Sequence, residues 1–224
     1  MDDAGAMTLL ARAGLIGDVH AEDELLELAL DYFEKQNVEH VLCTGDVADG
    51  AGSVVRCCTL LRQYSVQTVR GNHDRWLLTG TMRDLPDATD TNILTADATE
   101  YLTALAPTLT FSSPLGEVLL CHGLGMNDMA RVEPEDSGYA LDANLDLQAL
   151  LASRAYRFVV NGHTHHPMVR HFGHSTLINA GTLRRRDTPG FLLLDFGQRQ
   201  VEMLRFANGE IVVESVVAME SNPG

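Results

Sequence analysis

The chain has 224 residues, of which 45% are hydrophobic and 21% are charged, and its formal net charge is −15. This length and composition are ordinary for a globular enzyme with one buried core, and no linker rich in Pro, Ser or Gly divides the chain. The negative charge makes long nucleic acids unfavourable partners, because two polyanions repel each other unless metal ions intervene.

The sequence shows no targeting or membrane-spanning signal. No basic region precedes the short apolar run at residues 7 to 10, and no run approaches the ~20 apolar residues of a membrane span. The four cysteines lack the paired spacing of a disulfide framework or a zinc site. We therefore expect a cytoplasmic protein with reduced thiols and no membrane contact.

The first third of the chain alternates apolar runs with stretches of helical periodicity. The predicted strands are Ala13–Ile16, Val38–Cys43 and Val66–Val69, and the predicted helices are Glu22–Phe33 and Ser53–Gln63. Strand–helix repeats build a mostly parallel sheet, and the carboxyl ends of its strands gather ligands and catalytic groups.

Beyond residue 77 the pattern is less regular. Helices are predicted at Asp97–Leu105 and Leu145–Ser153, with a hairpin of Thr108–Ser112 and Glu117–Cys121 between them. The polar segment from Gly123 to Asn144 is too long for an ordinary connection, so it is either functional or disordered. Neither this segment nor residues 80 to 100 can be given a role from the sequence.

Short strands dominate the last third of the chain. They are predicted at Tyr156–Val160, Met168–Phe172, Thr176–Ile178, Phe191–Phe196, Val201–Phe206 and Ile211–Val217. Asn208 and Gly209 between the last two are typical of a hairpin turn. Because antiparallel strands replace helices here, we expect an α/β fold with two packed mixed β-sheets flanked by helices. Residues 1 to 10 are predicted to be a flexible tail, and residues 11 to 224 a single domain.

Five clusters of polar residues follow predicted strands. They are Asp18-Val19-His20, Gly45-Asp46-Val47-Ala48-Asp49, Gly71-Asn72-His73-Asp74, Cys121-His122-Gly123 and Gly162-His163-Thr164-His165. A glycine beside each cluster permits sharp turns and close backbone approach. Asp, His and Asn without Cys suit divalent ions such as Mn²⁺, Fe²⁺ or Zn²⁺.

Each cluster alone has a simpler explanation. Asp18 suits a helix N-cap, His122 a structural strand end and Asp49 an ordinary loop residue. His163 and His165 together suit an isolated zinc half-site or a polar turn. The occurrence of all five clusters, in order and after strands, favours one shared site instead.

The ordered set D-x-H, G-D-x-x-D, G-N-H-D, a lone His and G-H-x-H resembles the calcineurin-like metallophosphoesterase superfamily. The match runs from about Leu15 to Asp195, and the family's fold is an α/β/β/α sandwich. The stretches Asn161–Pro167 and Ile178–Thr182 are similar to the small prokaryotic phosphodiesterase branch. That branch typically has Pro-Gly-Ser at the positions of residues 180 to 182, where this chain has Ala-Gly-Thr.

The resemblance implies a site for two divalent metal ions, with Mn²⁺ as the first expectation and Fe, Zn or Ni as alternatives. One ion would be held by Asp18, His20 and His165, the other by Asn72, His122 and His163, and Asp46 would bridge them. The ions would hold a shared hydroxide as the nucleophile and clamp phosphate oxygens. His73 would protonate the leaving oxygen, and Asp49 would orient its ring.

The leading functional hypothesis is hydrolysis of a small phosphodiester. A phosphomonoesterase, including a Ser/Thr protein phosphatase, is the alternative, since Cys121-His122-Gly123 is similar to that branch. There an arginine that binds the dianionic phosphate follows the second Asp of G-D-x-x-D, whereas this chain has Gly50. An arginine entering from elsewhere would weaken this distinction, and the candidates are Arg75, Arg184, Arg185 and Arg186.

A non-catalytic interaction scaffold is a remote alternative from a different functional class. The retromer subunit with this fold lacks the motif histidine, whereas this chain has His73. The physiological substrate and the oligomeric state do not follow from the sequence.

Overall fold

The computed structural model describes residues 9–219. Residues 1–8 of the predicted tail lie outside this range, but Leu9 and Leu10 belong to the folded part. Leu10 is fully buried, and its N–H donates a hydrogen bond to the carbonyl of Ser112 at 2.8 Å. Leu10, which the sequence analysis places in the tail, is therefore part of the core.

The described residues form strands and helices close to the predicted ones. The strands are β1 (Arg12–Ile16), β2 (His40–Cys43), β3 (Gln67–Thr68), β4 (Thr108–Ser113), β5 (Gly116–Cys121), β6 (Phe158–Asn161), β7 (Met168–Phe172), β8 (Ser175–Asn179), β9 (Gly190–Asp195), β10 (Gln200–Ala207) and β11 (Glu210–Ala218). The helices are α1 (Asp23–Lys35), α2 (Val54–Gln63), α3 (Asn72–Thr79), α4 (Ala96–Ala104), α5 (Tyr139–Asp142) and α6 (Leu145–Ser153).

Two mixed β-sheets form the centre of the molecule, as predicted. The six-stranded sheet has the order β11-β10-β9-β1-β2-β3, in which β1, β2 and β3 are parallel and β9, β10 and β11 pair antiparallel. The five-stranded sheet has the order β4-β5-β6-β8-β7, with β5, β6 and β8 parallel. The parallel strands β1, β2, β3, β5 and β6 are the ones that lead into the polar clusters.

Side-chain alternation along the strands divides the core into three layers. In β5, Val118 and Leu120 face the other sheet, while Leu119 and Cys121 pack on the side of α6. In β1, Leu15 lies between the sheets, and Gly14 leaves room on the outer face for the Phe33 ring of α1. Helices therefore cover the outer face of each sheet, which confirms the expected sandwich of helices around two sheets.

The segment predicted to be a long loop is ordered and partly helical. It contains α5, and Val132 within it is fully buried. Arg170 of β7 donates hydrogen bonds to the carbonyls of Glu133 and Asp136, both at 2.8 Å. These contacts join residues distant in sequence, so the local pattern does not show them. Within residues 9–219, none of the helices is long and apolar enough to cross a membrane.

Phe191 is central to the layer between the six-stranded sheet and its helices. Its ring centroid lies 5.1 Å from that of Phe33, 5.4 Å from Tyr32 and 5.5 Å from Phe206, and the residue is 1% exposed. We predict that Phe191→Ala lowers the free energy of unfolding by about 3–5 kcal/mol, measured by urea denaturation. Tyr139→Ala removes an aromatic ring that is 85% exposed and should change stability by less than about 0.5 kcal/mol. If Phe191→Ala lowered the free energy of unfolding no more than Tyr139→Ala does, this account of the core would be wrong.

Candidate metal centre

The five polar clusters meet at one edge of the two sheets. Asp18 follows β1, Asp46 follows β2 and Asn72 begins α3 just after β3; His122 follows β5 and His163 follows β6. The first three strands belong to the six-stranded sheet and the last two to the five-stranded sheet. The site therefore spans the junction of both sheets, and all nine residues predicted from the sequence lie within it.

Backbone hydrogen bonds hold the loops after β1 and β2 side by side. The N–H of His20 donates to the carbonyl of Asp46 at 2.7 Å, and the N–H of Ala21 donates to that of Val47 at 2.9 Å. The Asp74 side chain accepts from the N–H groups of Ala48 and Gly71, each at 3.0 Å, and so ties this pair of loops to the start of α3. The relative positions of three clusters are thus set by the backbone.

One group of candidate ligands consists of Asp18, His20 and His165. Their potential ligand atoms all lie within 4.8 Å of one another. Nε2 of His165 lies 3.0 Å from Nε2 of His20 and 3.2 Å from Oδ2 of Asp18. This is the set that the resemblance implies for the first ion.

The second group consists of Asp46, His122 and His163, whose potential ligand atoms also lie within 4.8 Å of one another. Nε2 of His122 lies 2.9 Å from Oδ1 of Asn72 and 3.3 Å from Oδ2 of Asp46. Nε2 of His163 is buried without a hydrogen-bond partner. A buried nitrogen lone pair among carboxylates fits a metal ion, since an unsatisfied buried polar atom is otherwise costly.

Asp46 stands between the two groups. Its Oδ2 lies 3.3 Å from Nε2 of His122 and 4.0 Å from Nε2 of His20. A further set of potential ligand atoms, from His20, Asp46 and His73, also lies within 4.8 Å. The arrangement accommodates two ions with Asp46 between them, and it places His73 at the edge of the same site.

Three of the imidazoles are oriented by their second nitrogen. Nδ1 of His20 lies 2.7 Å from the carbonyl of Asp49, and Nδ1 of His122 lies 2.8 Å from that of Thr44. Nδ1 of His165 lies 2.8 Å from Oδ2 of Asp187. Because these oxygens accept a proton from Nδ1–H, Nε2 of each ring is the nitrogen that can bind a metal ion once any proton on it has left.

The two central carboxyl groups are ionised. Burial raises the pKa of Asp18 and Asp46, but the neighbouring histidines, His122 foremost, together outweigh burial, and both pKa values lie below their usual range. Burial lowers the pKa of His122, yet Asp46 and Asp18 raise it to about 10. Without metal ions, this imidazole therefore carries a proton, which a bound divalent cation would displace.

The other histidines differ in charge. Burial lowers the pKa of His20 and of His163, so both are neutral and offer lone pairs. Burial also lowers the pKa of His165, but its contacts with the carboxylates of Asp18 and Asp187 together outweigh this effect and the pKa is raised. The site as a whole combines two buried negative charges with the neutral imidazoles of His20 and His163, which favours the entry of cations.

Close packing explains the glycines beside the clusters. A Cβ atom on Gly71 would lie 2.1 Å from Oδ1 of Asp46, and one on Gly162 would lie 2.2 Å from Oδ1 of Asp18. The backbone N–H of His73 donates to Asp46 at 2.8 Å, and that of His163 donates to Asp18 at 2.9 Å. These glycines let the amide of a residue one or two positions later reach a buried carboxylate.

Backbone strain is concentrated in the same loops. Five site residues have positive φ angles, in the left-handed region that favours glycine. They are His20 (46°), Asp46 (44°), Asp49 (65°), His163 (70°) and His165 (62°). Such conformations persist only where surrounding contacts hold them, and they are typical of functional sites.

The predicted pair of His73 and Asp49 is in contact. Nδ1 of His73 lies 2.8 Å from Oδ2 of Asp49, which is buried. Asp49 also accepts hydrogen bonds from the guanidinium of Arg83. Arg83 and Asp187 lie in loops without a motif or periodicity, so sequence analysis does not assign them to the site. Thr44, whose carbonyl contacts His122, directly precedes Gly45 and could have been identified from the motif.

The four arginines named as alternatives are each bound to carboxylates. Arg75 forms two hydrogen bonds with Asp128, at 2.6 and 2.9 Å. Arg184 and Arg186 both contact Asp87, at 2.7 and 3.0 Å, and Arg185 pairs with Glu24. The last three arginines line a cavity of about 450 Å³, which opens beside His20.

The chain matches one known family over most of its length. Residues 12–199 match the family model of the calcineurin-like phosphoesterase superfamily domain. Among curated proteins, none matches the chain at a significant level. Several solved structures share its fold.

A metallophosphoesterase from Sphaerobacter thermophilus is 20% identical, with a TM-score of 0.66 over 88% of both chains. Yfce, a phosphoesterase from E. coli, is 15% identical, with a TM-score of 0.58 over 93% of this chain and 100% of its own. Vps29 from Entamoeba histolytica, in complex with zinc, is 18% identical, with a TM-score of 0.58 over 93% of this chain and 99% of its own.

The structural neighbours share the two-sheet sandwich, and at these identities they show the fold alone. The family model is more informative, because the residues it covers include all five polar clusters and both groups of candidate ligands. The chain therefore belongs to the calcineurin-like phosphoesterase superfamily, whose members are metal-dependent phosphoesterases that use divalent ions.

Proposed function

We propose that this protein hydrolyses small phosphodiesters at a site for two divalent metal ions, with Mn²⁺ as the preferred metal. The observation that carries the proposal is the position of Asp46, whose carboxylate lies between two groups of ligand atoms. The proposed ligands of the first ion are Asp18, His20 and His165, those of the second are Asn72, His122 and His163, and Asp46 is shared.

Two bound divalent ions would supply positive charge to the phosphate oxygens and lower the pKa of water. The protein's own contribution is to fix the ligands and to manage the proton of the leaving group. His73 is 20% exposed at the edge of the site, so its ring is accessible to a substrate. With Nδ1 held by Asp49, the other ring nitrogen is the one that gives a proton to the leaving oxygen.

The preference for diesters rests on position 50, where this chain has Gly50 and not an arginine whose guanidinium could bind a dianionic phosphate. A Cβ atom on Gly50 would lie 1.8 Å from the carbonyl oxygen of His20, so the present backbone leaves no space for an arginine side chain there. The carboxylate partners of Arg75 and Arg184 to Arg186 also occupy the guanidinium groups nearby. A monoester carries one more negative charge than a diester and depends more strongly on such donors.

The interaction scaffold is less well supported. A surface used only for binding does not require an imidazole held by a buried carboxylate, yet His73 and Asp49 form such a pair. The likeness to Vps29 concerns the fold. The cavity beside His20 suits a small substrate better than a macromolecule.

We predict that the purified protein binds about two divalent ions per chain and that Asp46→Asn weakens the binding of both. The reason is that Asp46 is the ligand assigned to both ions. Elemental analysis after equilibrium dialysis over a range of Mn²⁺ concentrations measures the stoichiometry. Asp97→Asn, in the exposed first turn of α4, is the matched control and should leave the stoichiometry of metal binding unchanged. A wild type that saturates at one ion, or a mutant that retains both at full affinity, contradicts the shared site.

We predict that His73→Ala keeps its metal ions but loses turnover by ~10²–10⁴-fold on an alkyl diester, the usual range for general acid catalysis. The loss should be much smaller when p-nitrophenolate leaves, because that anion barely needs a proton. Steady-state kinetics on both substrates checks this, with His174→Ala as a control on an exposed turn. Equal losses on the two substrates would mean that His73 is not the acid.

We predict that kcat/KM in Mn²⁺ is higher for bis-p-nitrophenyl phosphate than for p-nitrophenyl phosphate, and lower still for phosphopeptides. The two small substrates release the same anion, so their comparison isolates the extra charge of the monoester. Assays at matched metal occupancy give the ratio. A clear preference for the monoester would favour the phosphatase alternative instead.

A further inference from the structure

Asp49 accepts more hydrogen bonds than it would need only to orient the His73 ring. Its Oδ1 accepts from Nη1 of Arg83 at 2.9 Å and from the N–H of Thr89 at 2.8 Å. Its Oδ2 accepts from Nη2 of Arg83 at 2.8 Å and contacts Nδ1 of His73 at 2.8 Å. The arginine therefore forms a two-pronged ion pair with a carboxylate that is 2% exposed.

Arg83 is itself held in place by the loop that carries it. Its Nε donates to the carbonyl of Thr81 at 2.8 Å, and its Nη1 also lies 3.4 Å from that of Thr89. The hydroxyl of Thr89 in turn accepts from the N–H of Asp49 at 3.0 Å. Residues 81 to 89, to which the sequence analysis assigns no role, thus supply Arg83 and Thr89 to the carboxylate of Asp49.

The ion pair has a direct consequence for the state of Asp49. Burial raises the pKa of this carboxyl, but the hydrogen bonds from His73 and Arg83 outweigh burial, and the pKa lies below its usual range. Without the guanidinium, the carboxylate would keep its burial and lose two of its donors. Only Thr89 and His73 would then hold its orientation.

Resting on the proposed function, we propose that Arg83 is a positioning residue for proton transfer by His73. It holds Asp49 as a fixed carboxylate, which in turn keeps the Nδ1–H tautomer of the imidazole. In the step itself, the N–H bond at Nε2 of protonated His73 breaks. The proton bonds to the leaving oxygen while the bond between that oxygen and phosphorus breaks. The imidazole is left neutral with Nδ1–H toward Asp49, and the carboxylate is unchanged throughout.

The experiment compares two diesters that differ in leaving group, methyl phenyl phosphate and methyl p-nitrophenyl phosphate. Both carry the same charge, but phenolate needs a proton more than p-nitrophenolate does. Arg83→Gln should lose about 10–100-fold in kcat on the phenyl ester, as expected for a partner that orients a functional histidine, and less than about 3-fold on the nitrophenyl ester. Arg83→Lys keeps the positive charge but not the two-pronged guanidinium geometry. Its kcat on the phenyl ester should lie between those of wild type and Arg83→Gln.

A double mutant separates action through His73 from a general structural role. If Arg83 acts through the imidazole, His73→Ala combined with Arg83→Gln should be no slower than His73→Ala alone, within about 2-fold. Arg56→Gln is the matched control, because Arg56 also pairs with two carboxylate oxygens, those of Asp23 and Glu27, and does not contact Asp49. Its kinetics on both esters should equal those of wild type.

Each possible outcome decides one question. Equal losses of Arg83→Gln on the two esters, unchanged kinetics, or a further loss in the double mutant would overturn the role of Arg83. If thermal unfolding and metal content show that Arg83→Gln does not fold, the same ester comparison on Arg83→Lys tests the role instead. A wild type that cleaves neither ester with any metal contradicts the proposed function, whereas a selective effect of His73→Ala without one of Arg83→Gln contradicts only this inference.

Discussion

The burial of two carboxylates at the junction of two sheets is the constraint on which this structure depends. Asp18 and Asp46 are 0% and 2% exposed, and a buried charge is costly unless hydrogen bonds and opposite charges compensate it. Asp18, from the six-stranded sheet, accepts from the backbone of His163, which follows a strand of the other sheet. The same interaction that stabilises the charge therefore also fixes how the two sheets meet at this edge.

The requirement for positive charge links the fold to its chemistry. In the absence of metal ions the carboxylates are compensated by a proton on the imidazole of His122, whose pKa they raise to about 10. Divalent ions supply more charge in the same place without needing a proton. Nδ1 of His20, His122 and His165 is in each case held by an oxygen atom that is not a proposed metal ligand. Replacing a proton by a metal ion at Nε2 therefore needs little rearrangement of these rings.

Most of the fold and the centre of the site could be predicted because their signals are local. Strand periodicity followed by a glycine and a polar residue placed Asp18, Asp46 and His122 at strand ends, and the topology then brought them together. Arg83 and Asp187 could not be predicted, since their positions depend on the paths of irregular loops. The ordered segment before α6 was missed for the same reason: its buried Val132 and its bonds to Arg170 are visible only in three dimensions.

The crowding around Gly50 has a consequence for how this chain can change over evolution. An arginine there would collide with the backbone of His20, which is also a candidate metal ligand. A switch toward dianionic substrates by that route would require a new path for the turn after β1, and hence a rebuilt metal site, rather than a single codon change. Under the proposed function, substrate class and metal binding would therefore change together, because both would depend on the same turn of backbone.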